Sequence, residues 1–128
     1  MLVLVVDDSA AARELLAEHL TQLGFEVEQA VHGADALEKI PELPQLAAVM
    51  LDWSMPEMSG LEVLRRIRAD ERCSEVPVLM VTTDAELPFV DEALAAGASE
   101  YLLRPFDAQT VLEKLLLLGV DPEMRRAA

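Results

Sequence analysis

The residues best suited to chemistry in this sequence are three aspartates that follow two short apolar runs. Asp7 and Asp8 come directly after the run LVLVV, and Asp52 comes directly after AVML. Carboxylates held a few ångströms apart raise one another's pKa or attract a cation. Oxygen ligands without histidine or cysteine suit a hard ion such as Mg²⁺. The sequence therefore predicts a divalent-cation site, provided that the fold brings the three aspartates together.

The two apolar runs are interpreted as buried parallel strands. Each run is apolar on both faces and too short for a helix. Pro56 and Gly60 follow the second run, where they end the strand and prepare the next helix. Open α/β sheets hold their chemistry at the carboxyl ends of parallel strands. If the two strands are neighbours, the three aspartates lie at one edge of the sheet.

The rest of the chain alternates between strand and helix patterns, which predicts a doubly wound α/β sheet. Ser9 is a suitable N-cap for the first helix, and Gly24 ends it. The predicted strands cover residues 2–6, 25–30, 48–51, 78–81 and 101–103. The predicted helices cover 9–23, 33–40, the segment from Leu61 onward, 86–96 and 107–118.

The third helix is predicted to be amphipathic. Apolar residues recur at three-residue spacing from Leu61 to Ile67. Its three arginines, Arg65, Arg66 and Arg68, are assigned to the solvated side. This helix therefore packs one face on the sheet.

Composition and charge limit the classes of protein. With 128 residues, the chain is predicted to form one domain over residues 1–120, followed by 121–128 as a short tail or the start of a trimmed linker. The formal net charge of −14 repels nucleic acid and anionic membranes. Cys73 is the only cysteine, which favours a reducing compartment and a cytoplasmic location. No stretch of the sequence approaches the length of a membrane span.

Two further strand ends carry polar residues, and together the motifs identify a family resemblance. Thr82 follows the fourth strand, and Tyr101 and the triplet RPF at 104–106 surround the fifth. With Asp7-Asp8 and the segment DWSMPEMSG from Asp52, this pattern resembles bacterial response-regulator receiver domains over essentially the whole chain. The resemblance implies a flavodoxin-like sheet in the order 2-1-3-4-5, with five helices in three layers.

The resemblance also implies a phosphoryl-acceptor site with Mg²⁺. Asp52 would be the phospho-acceptor, whose carboxylate oxygen attacks phosphorus and forms an acyl phosphate. Asp8, Asp52 and the backbone carbonyl of Ser54 would bind Mg²⁺ directly, and Asp7 would hold the ion through water. The phosphoryl donor would be a phosphohistidine on a sensor histidine kinase or a phosphotransfer protein.

By the same resemblance, other residues would respond to the phosphoryl group or set its lifetime. Thr82 would donate its hydroxyl to the new phosphoryl oxygen, and Tyr101 would swing inward behind it. Ser54 lies two residues after Asp52, and Asp84 lies two residues after Thr82. In the family, the side chains at these two positions flank the attacking water and tune the lifetime of the phosphoryl group. Output would pass to a downstream protein or a homodimer through the fourth helix, fifth strand and fifth helix.

Position 104 departs from the family pattern. Receivers usually carry lysine before this proline, whereas this chain has Arg104. A guanidinium is planar and wider than an ammonium, so the exchange is not conservative. Arg104 either reaches the site or lies outward as a surface charge. The bond from Arg104 to Pro105 is expected to be cis by the same resemblance.

Several of these residues also have purely structural interpretations. Asp7 and Asp8 would suit the amino-terminal end of the first helix. Thr82 would suit the start of the following helix, although Thr83 and Asp84 are better placed for that. Tyr101 is as readily a packing residue as a switch.

The run LLLL at 115–118 has two interpretations as well. Since only about half of such a run can face the core, Leu117, Leu118 or nearby Leu102 would reach an interface. The other interpretation buries the end of the helix under the tail.

Two classes of function follow. The first is a phosphorylation-controlled switch in two-component signalling, which catalyses only its own phosphoryl transfer and hydrolysis. The second is an interaction module of receiver shape in which Arg104 has weakened the switch. A phosphatase is disfavoured because Ser54 stands where aspartate-nucleophile phosphatases carry a second acid. A flavin site is disfavoured because no Ser/Thr/Gly-rich phosphate loop follows the first strand.

Overall fold

The computed structural model describes residues 1–122 and contains one five-stranded parallel sheet. The strand order is β2-β1-β3-β4-β5, as predicted, so β1 and β3 are neighbours. The strands are β1 (Leu2–Val6), β2 (Glu26–Ala30), β3 (Leu46–Asp52), β4 (Val78–Thr82) and β5 (Glu100–Leu103).

Within the described residues, five α-helices connect and follow the strands. They are α1 (Ala10–Gln22), α2 (Gly33–Lys39), α3 (Gly60–Ala69), α4 (Val90–Ala95) and α5 (Ala108–Leu117). Ser9, Ser59 and Asp107 cap α1, α3 and α5, because each side chain accepts a hydrogen bond from a backbone N–H of the first turn. Two 3-10 segments, Ile40–Glu42 and Asp84–Phe89, precede β3 and α4.

The core lies on both faces of the sheet, because the central strands β1, β3 and β4 are apolar on both faces. Val3 and Val5 of β1 face the side covered by α1 and α5. Leu4 and Val6 face the opposite side, covered by α2, α3 and α4. This three-layer arrangement leaves the carboxyl ends of the strands as one open edge.

The segment before β5 differs from the single helix predicted over 86–96. The structure has a 3-10 helix at Asp84–Phe89 and a short α4 at Val90–Ala95. Pro88 has no N–H to donate to a preceding carbonyl, and its ring disfavours a continuous α-helix. Thr83 begins the segment with a capping box to Glu86. The α-helix therefore starts only after the proline.

The assignment of Arg68 to the solvated side of α3 is wrong. Its guanidinium donates to the carbonyls of Gly97, Ser74 and Val76 at 2.9, 3.1 and 2.6 Å. Arg65 is exposed as predicted. Arg68 lies in the last turn of α3, where neighbouring loops bring carbonyl groups within reach.

The leucine run at the end of α5 is partly exposed. Leu117 has 71% of its surface exposed, whereas Leu115 is fully buried. The prediction that Leu102 reaches an interface is wrong, because this residue is fully buried in the sheet. Residues 123–128 of the predicted tail lie outside the described residues. No helix within residues 1–122 is both long and apolar enough to cross a membrane.

Candidate functional site

The three aspartates predicted to converge do so at the carboxyl edge of the sheet. Val6 of β1 pairs with Leu51 of β3, so the next residues on the two strands are Asp7 and Asp52. One carboxylate oxygen from each of Asp7, Asp8 and Asp52 lies within 4.8 Å of the others. Asp7 is buried, Asp52 is half-buried and Asp8 is exposed. The predicted gathering of these side chains is confirmed.

The environment of Asp52 disfavours its charge. Burial and, after it, the charge of Asp7 raise the pKa of Asp52, and Arg104 opposes both effects, so that the pKa lies at about 7. The carboxyl of Asp52 therefore ionises at a higher pH than an ordinary aspartate does. A hard divalent cation fits this set, because its charge would offset the repulsion and all three side chains offer oxygen ligands.

Arg104 points into the site, which decides between its two predicted placements. Its Nη2 donates to Asp7 Oδ2 at 2.7 Å and to Asp52 Oδ1 at 3.4 Å. Its backbone N–H donates to the carbonyl of Thr82 at 2.8 Å, which fixes the chain beside β4. The Arg104–Pro105 bond is cis, as expected. In this arrangement the guanidinium partly neutralises the carboxylates.

Thr82 contributes a free hydroxyl at the same edge. Val81 of β4 pairs with Asp52, so Thr82 is the next residue on the neighbouring strand. Thr82 is fully buried, and its Oγ1 has no hydrogen-bond partner within residues 1–122. The only other such atom in the described part of the chain is Nε of Arg104. Buried hydroxyls are rarely left unpaired, so Thr82 is suited to a ligand with an acceptor oxygen.

The loops after β3 and β4 are joined by a residue that the sequence analysis missed. The hydroxyl of Ser54 donates to Glu86 Oε2 at 2.6 Å. Glu86 Oε1 accepts from the backbone N–H and hydroxyl of Thr83 at 2.8 and 3.2 Å. Asp84, predicted to tune the phosphoryl lifetime, is exposed. The capping-box spacing from Thr83 to Glu86 is the signal that would have identified Glu86.

Tyr101 lies apart from the carboxylates. It is half-buried on β5 and packs against the hydrophobic cluster under α2, α3 and α4. Nζ of Lys114 lies 4.4 Å from the centroid of its ring, within the range of a cation–π contact. Tyr101 thus lies on β5, the strand next to the one that carries Thr82, and the structure does not place it against Asp52.

Comparison with known proteins agrees with this geometry. The family model of the response regulator receiver domain matches residues 3–116 of this chain. The chain is 41% identical to chemotaxis protein CheY1 of Helicobacter pylori, covering 94% of this chain and 99% of that protein. It is 39% identical to a chemotaxis protein CheY homolog of Campylobacter jejuni, covering 90% and 89%.

A solved structure shares the fold as well. Chemotaxis protein CheY4 of Vibrio cholerae is similar with a TM-score of 0.84 and 34% identity, covering 91% of this chain and 96% of that one. The chain belongs to the response regulator receiver domains, the phosphoryl-accepting switches of two-component signalling.

Proposed function

We propose that this chain is a signalling switch in which Asp52 accepts a phosphoryl group in a Mg²⁺-dependent reaction. The observation that carries the proposal is the cluster of Asp7, Asp8 and Asp52, whose oxygens lie within 4.8 Å of one another. The unpaired hydroxyl of Thr82 at the same edge supports it. A sensor histidine kinase or a phosphotransfer protein supplies the phosphoryl group.

The transfer is a single exchange at phosphorus. A carboxylate oxygen of Asp52 forms a bond to phosphorus, while the phosphorus–nitrogen bond of the donor phosphohistidine breaks and its electron pair stays on the imidazole. Asp8, Asp52 and the carbonyl of Ser54 would hold Mg²⁺, with Asp7 acting through water. The bound ion supplies positive charge next to the phosphoryl oxygens.

Three further residues respond to the phosphoryl group. Thr82 donates its hydroxyl to a phosphoryl oxygen, which gives this buried group its partner. Arg104 leaves Asp7 and pairs with the phosphoryl group, because a guanidinium forms forked contacts with phosphate. Tyr101 moves inward behind Thr82. The phosphoryl group thereby shifts the population of the chain toward one arrangement.

Hydrolysis resets the switch. Water attacks phosphorus, the acyl phosphate releases inorganic phosphate, and the carboxylate of Asp52 is restored. Ser54 and Asp84 flank this water and adjust the lifetime of the phosphoryl group. The chain thus catalyses only its own phosphorylation and dephosphorylation.

The output surface is formed by α4, β5 and α5, and it binds a downstream protein or a second copy of the chain. Leu94 of α4 and Leu117 of α5 support this choice, with 42% and 71% of their surfaces exposed. Exposed apolar side chains are common at protein interfaces. The protein acts in the cytoplasm, where its kinase would supply the signal.

Trp53 provides the test, because it is the only tryptophan and adjoins Asp52. We expect Mg²⁺ to change its fluorescence and acetyl phosphate to change it again, with the addition of one phosphoryl group measured by mass spectrometry. Asp52→Ala should weaken the first response and abolish the second. Phosphorylation that persists in Asp52→Ala would contradict the assignment of the acceptor.

A second candidate function is a phosphorylation-independent interaction module. The 2.7 Å contact of Arg104 with Asp7 favours it, because this guanidinium already supplies a cation to the cluster. The two functions differ in one measurement. A fluorescence response to Mg²⁺ without any response to acetyl phosphate would favour the interaction module.

A further inference from the structure

The two loops that flank Asp52 are tied together by one carboxylate. Glu86 accepts a 2.6 Å hydrogen bond from the hydroxyl of Ser54, two residues after Asp52. It also accepts a 2.8 Å bond from the backbone N–H of Thr83, the residue directly after Thr82. We call these contacts the Glu86 bridge. The bridge spans the mouth of the site from β3 to β4.

The Glu86 bridge holds the part of the chain that follows the free hydroxyl of Thr82. Thr83 is bound through both its N–H and its hydroxyl, so the peptide after Thr82 has a fixed position. A backbone movement of Thr82 toward a ligand on Asp52 would have to carry Thr83 with it. The bridge therefore stabilises the arrangement present without a ligand.

Glu86 also brings an uncompensated negative charge to the site. None of the ion pairs in the described part of the chain involves Glu86. Its charge is among the effects that raise the pKa of Asp52. A negative charge that acts on Asp52 also disfavours a further anion there.

We infer that Glu86 is a positioning residue that opposes phosphorylation of Asp52, through its charge and through the hydrogen bonds that fix Ser54 and Thr83. This inference rests on the proposed function. An anionic phosphoryl group on Asp52 and an intact Glu86 bridge disfavour each other, so loss of the bridge shifts the population toward the phosphorylated arrangement.

Two variants separate the charge from the hydrogen bond. Glu86→Gln removes the charge but keeps a side chain of the same shape with an acceptor oxygen. Ser54→Ala removes the bond between the loops but keeps the charge. Glu92→Gln is the matched control, because it removes one acidic charge from an exposed residue of α4 that pairs with Arg65. Circular dichroism checks that each variant is folded.

The measured quantity is the apparent affinity for beryllofluoride at saturating Mg²⁺. The fluorescence of Trp53 reports the binding, and the titration is made at low and at high ionic strength. We expect Glu86→Gln to bind about threefold more tightly at low salt, with the difference shrinking as salt screens the charge. Ser54→Ala should also bind more tightly, but by a factor that salt does not change. A purely structural role for Glu86 would not produce this difference in salt dependence.

The outcomes are distinct. Unchanged or weaker beryllofluoride binding in either Glu86→Gln or Ser54→Ala would overturn the inference and leave the proposed function intact. The same applies if Glu92→Gln tightens binding as much as Glu86→Gln. A wild-type chain that shows no response to beryllofluoride would overturn the proposed function, and with it this inference.

Discussion

Asp52 combines two properties at the scale of a single residue. It lies at the end of a buried strand, and its carboxylate faces the charges of Asp7 and Asp8. Burial is the largest cause of its raised pKa, and the charge of Asp7 is the next. A site that disfavours its own negative charge is prepared to bind a cation, but the same feature costs stability.

The raised pKa predicts how Asp52 affects stability. The native carboxyl keeps its proton up to about pH 7, whereas the ordinary value is 3.8, so the native state binds more protons in this interval. Its contribution to the free energy of unfolding therefore falls as pH rises from about 4 to about 7. Asp52→Asn should be more stable than wild type at about pH 8, and the difference should disappear toward about pH 4.

Urea denaturation without divalent ions measures this difference. Asp107→Asn is the control, because hydrogen bonds donated by Thr110 lower the pKa of Asp107. The ionised carboxylate of Asp107 therefore stabilises the native state above the ordinary pKa of aspartate. Its effect on the free energy of unfolding thus has the opposite sign to that of Asp52. Equal stability of Asp52→Asn and wild type from about pH 4 to about pH 8 would contradict a pKa of Asp52 that is raised by burial and by the charge of Asp7.

The contact of Arg104 with Asp7 predicts competition with a divalent ion. Arg104→Met removes the guanidinium that lies 2.7 Å from Asp7 Oδ2, so the carboxylates become more negative and more accessible. We expect Mg²⁺ to bind about tenfold more tightly, from the loss of charge repulsion. Titration of the Trp53 fluorescence with Mg²⁺ measures the affinity.

Arg66→Met is the matched control for this prediction. Arg66 is exposed on α3 and pairs with Glu62, so its loss changes the net charge equally but leaves the site intact. Unchanged or weaker Mg²⁺ binding in Arg104→Met would show that the guanidinium does not compete with the ion.

At the scale of elements, the junction between β3 and α3 sets the position of Asp52. Ser59 caps α3, and the N–H of Gly60 donates to the carbonyl of Trp53 at 2.8 Å. A Cβ at position 60 would collide with the backbone oxygen of Asp52 and lie 3.0 Å from the Cα of Trp53. Only glycine allows the helix to start this close to the end of the strand.

Gly60→Ala is therefore expected to destabilise the chain by about 1–3 kcal/mol, because the backbone must move to accept the methyl group. The same movement displaces Asp52, so Mg²⁺ should bind more weakly. Urea denaturation and Mg²⁺ titration measure the two effects. Gly119→Ala is the control, since a Cβ there meets nothing within 4 Å and only the positive φ of 76° is strained. Normal Mg²⁺ affinity in Gly60→Ala would contradict the role assigned to this junction.

At the scale of the whole molecule, Arg68 secures the edge of the sheet opposite the site. Its guanidinium bonds to carbonyls in the loops before β4 and β5, which start two of the strands that carry the site. Burial lowers the pKa of Arg68, yet the group is held by several acceptors. The amino-terminal ends of these strands are thus held by contacts that stabilise the fold, whereas the carboxyl-terminal ends carry the residues of the site.

Arg68→Met is expected to lower the free energy of unfolding by about 2–3 kcal/mol, because three carbonyls lose a charged donor. Arg65→Met, on the exposed side of the same helix, should change it by less than about 0.5 kcal/mol. Urea denaturation measures both variants. Mg²⁺ affinity should stay normal in each, since neither residue reaches the carboxylates. Equal effects of the two substitutions would contradict the structural role of Arg68.

The strands, their order and the gathering of the three aspartates were predictable from the sequence. β1, β3 and β4 are short apolar runs bounded by turn residues, and such a local signal can be recognised from a few neighbouring positions. The resemblance to receiver domains supplied the order of the strands, which the sheet confirms. Asp7, Asp8 and Asp52 then meet because parallel strands end at one edge.

Other features were decided only by the tertiary structure. The direction of Arg104, the bridge from Ser54 to Glu86 and the buried contacts of Arg68 each join positions that are distant in the sequence. A local pattern of charge and hydropathy shows that such a side chain is polar, but not which carbonyl or carboxylate the fold brings within hydrogen-bond distance. The chain by itself determined where the acids stand along the strands, and the packed structure determined which groups surround them, because contacts depend on distances in space that sequence spacing does not contain.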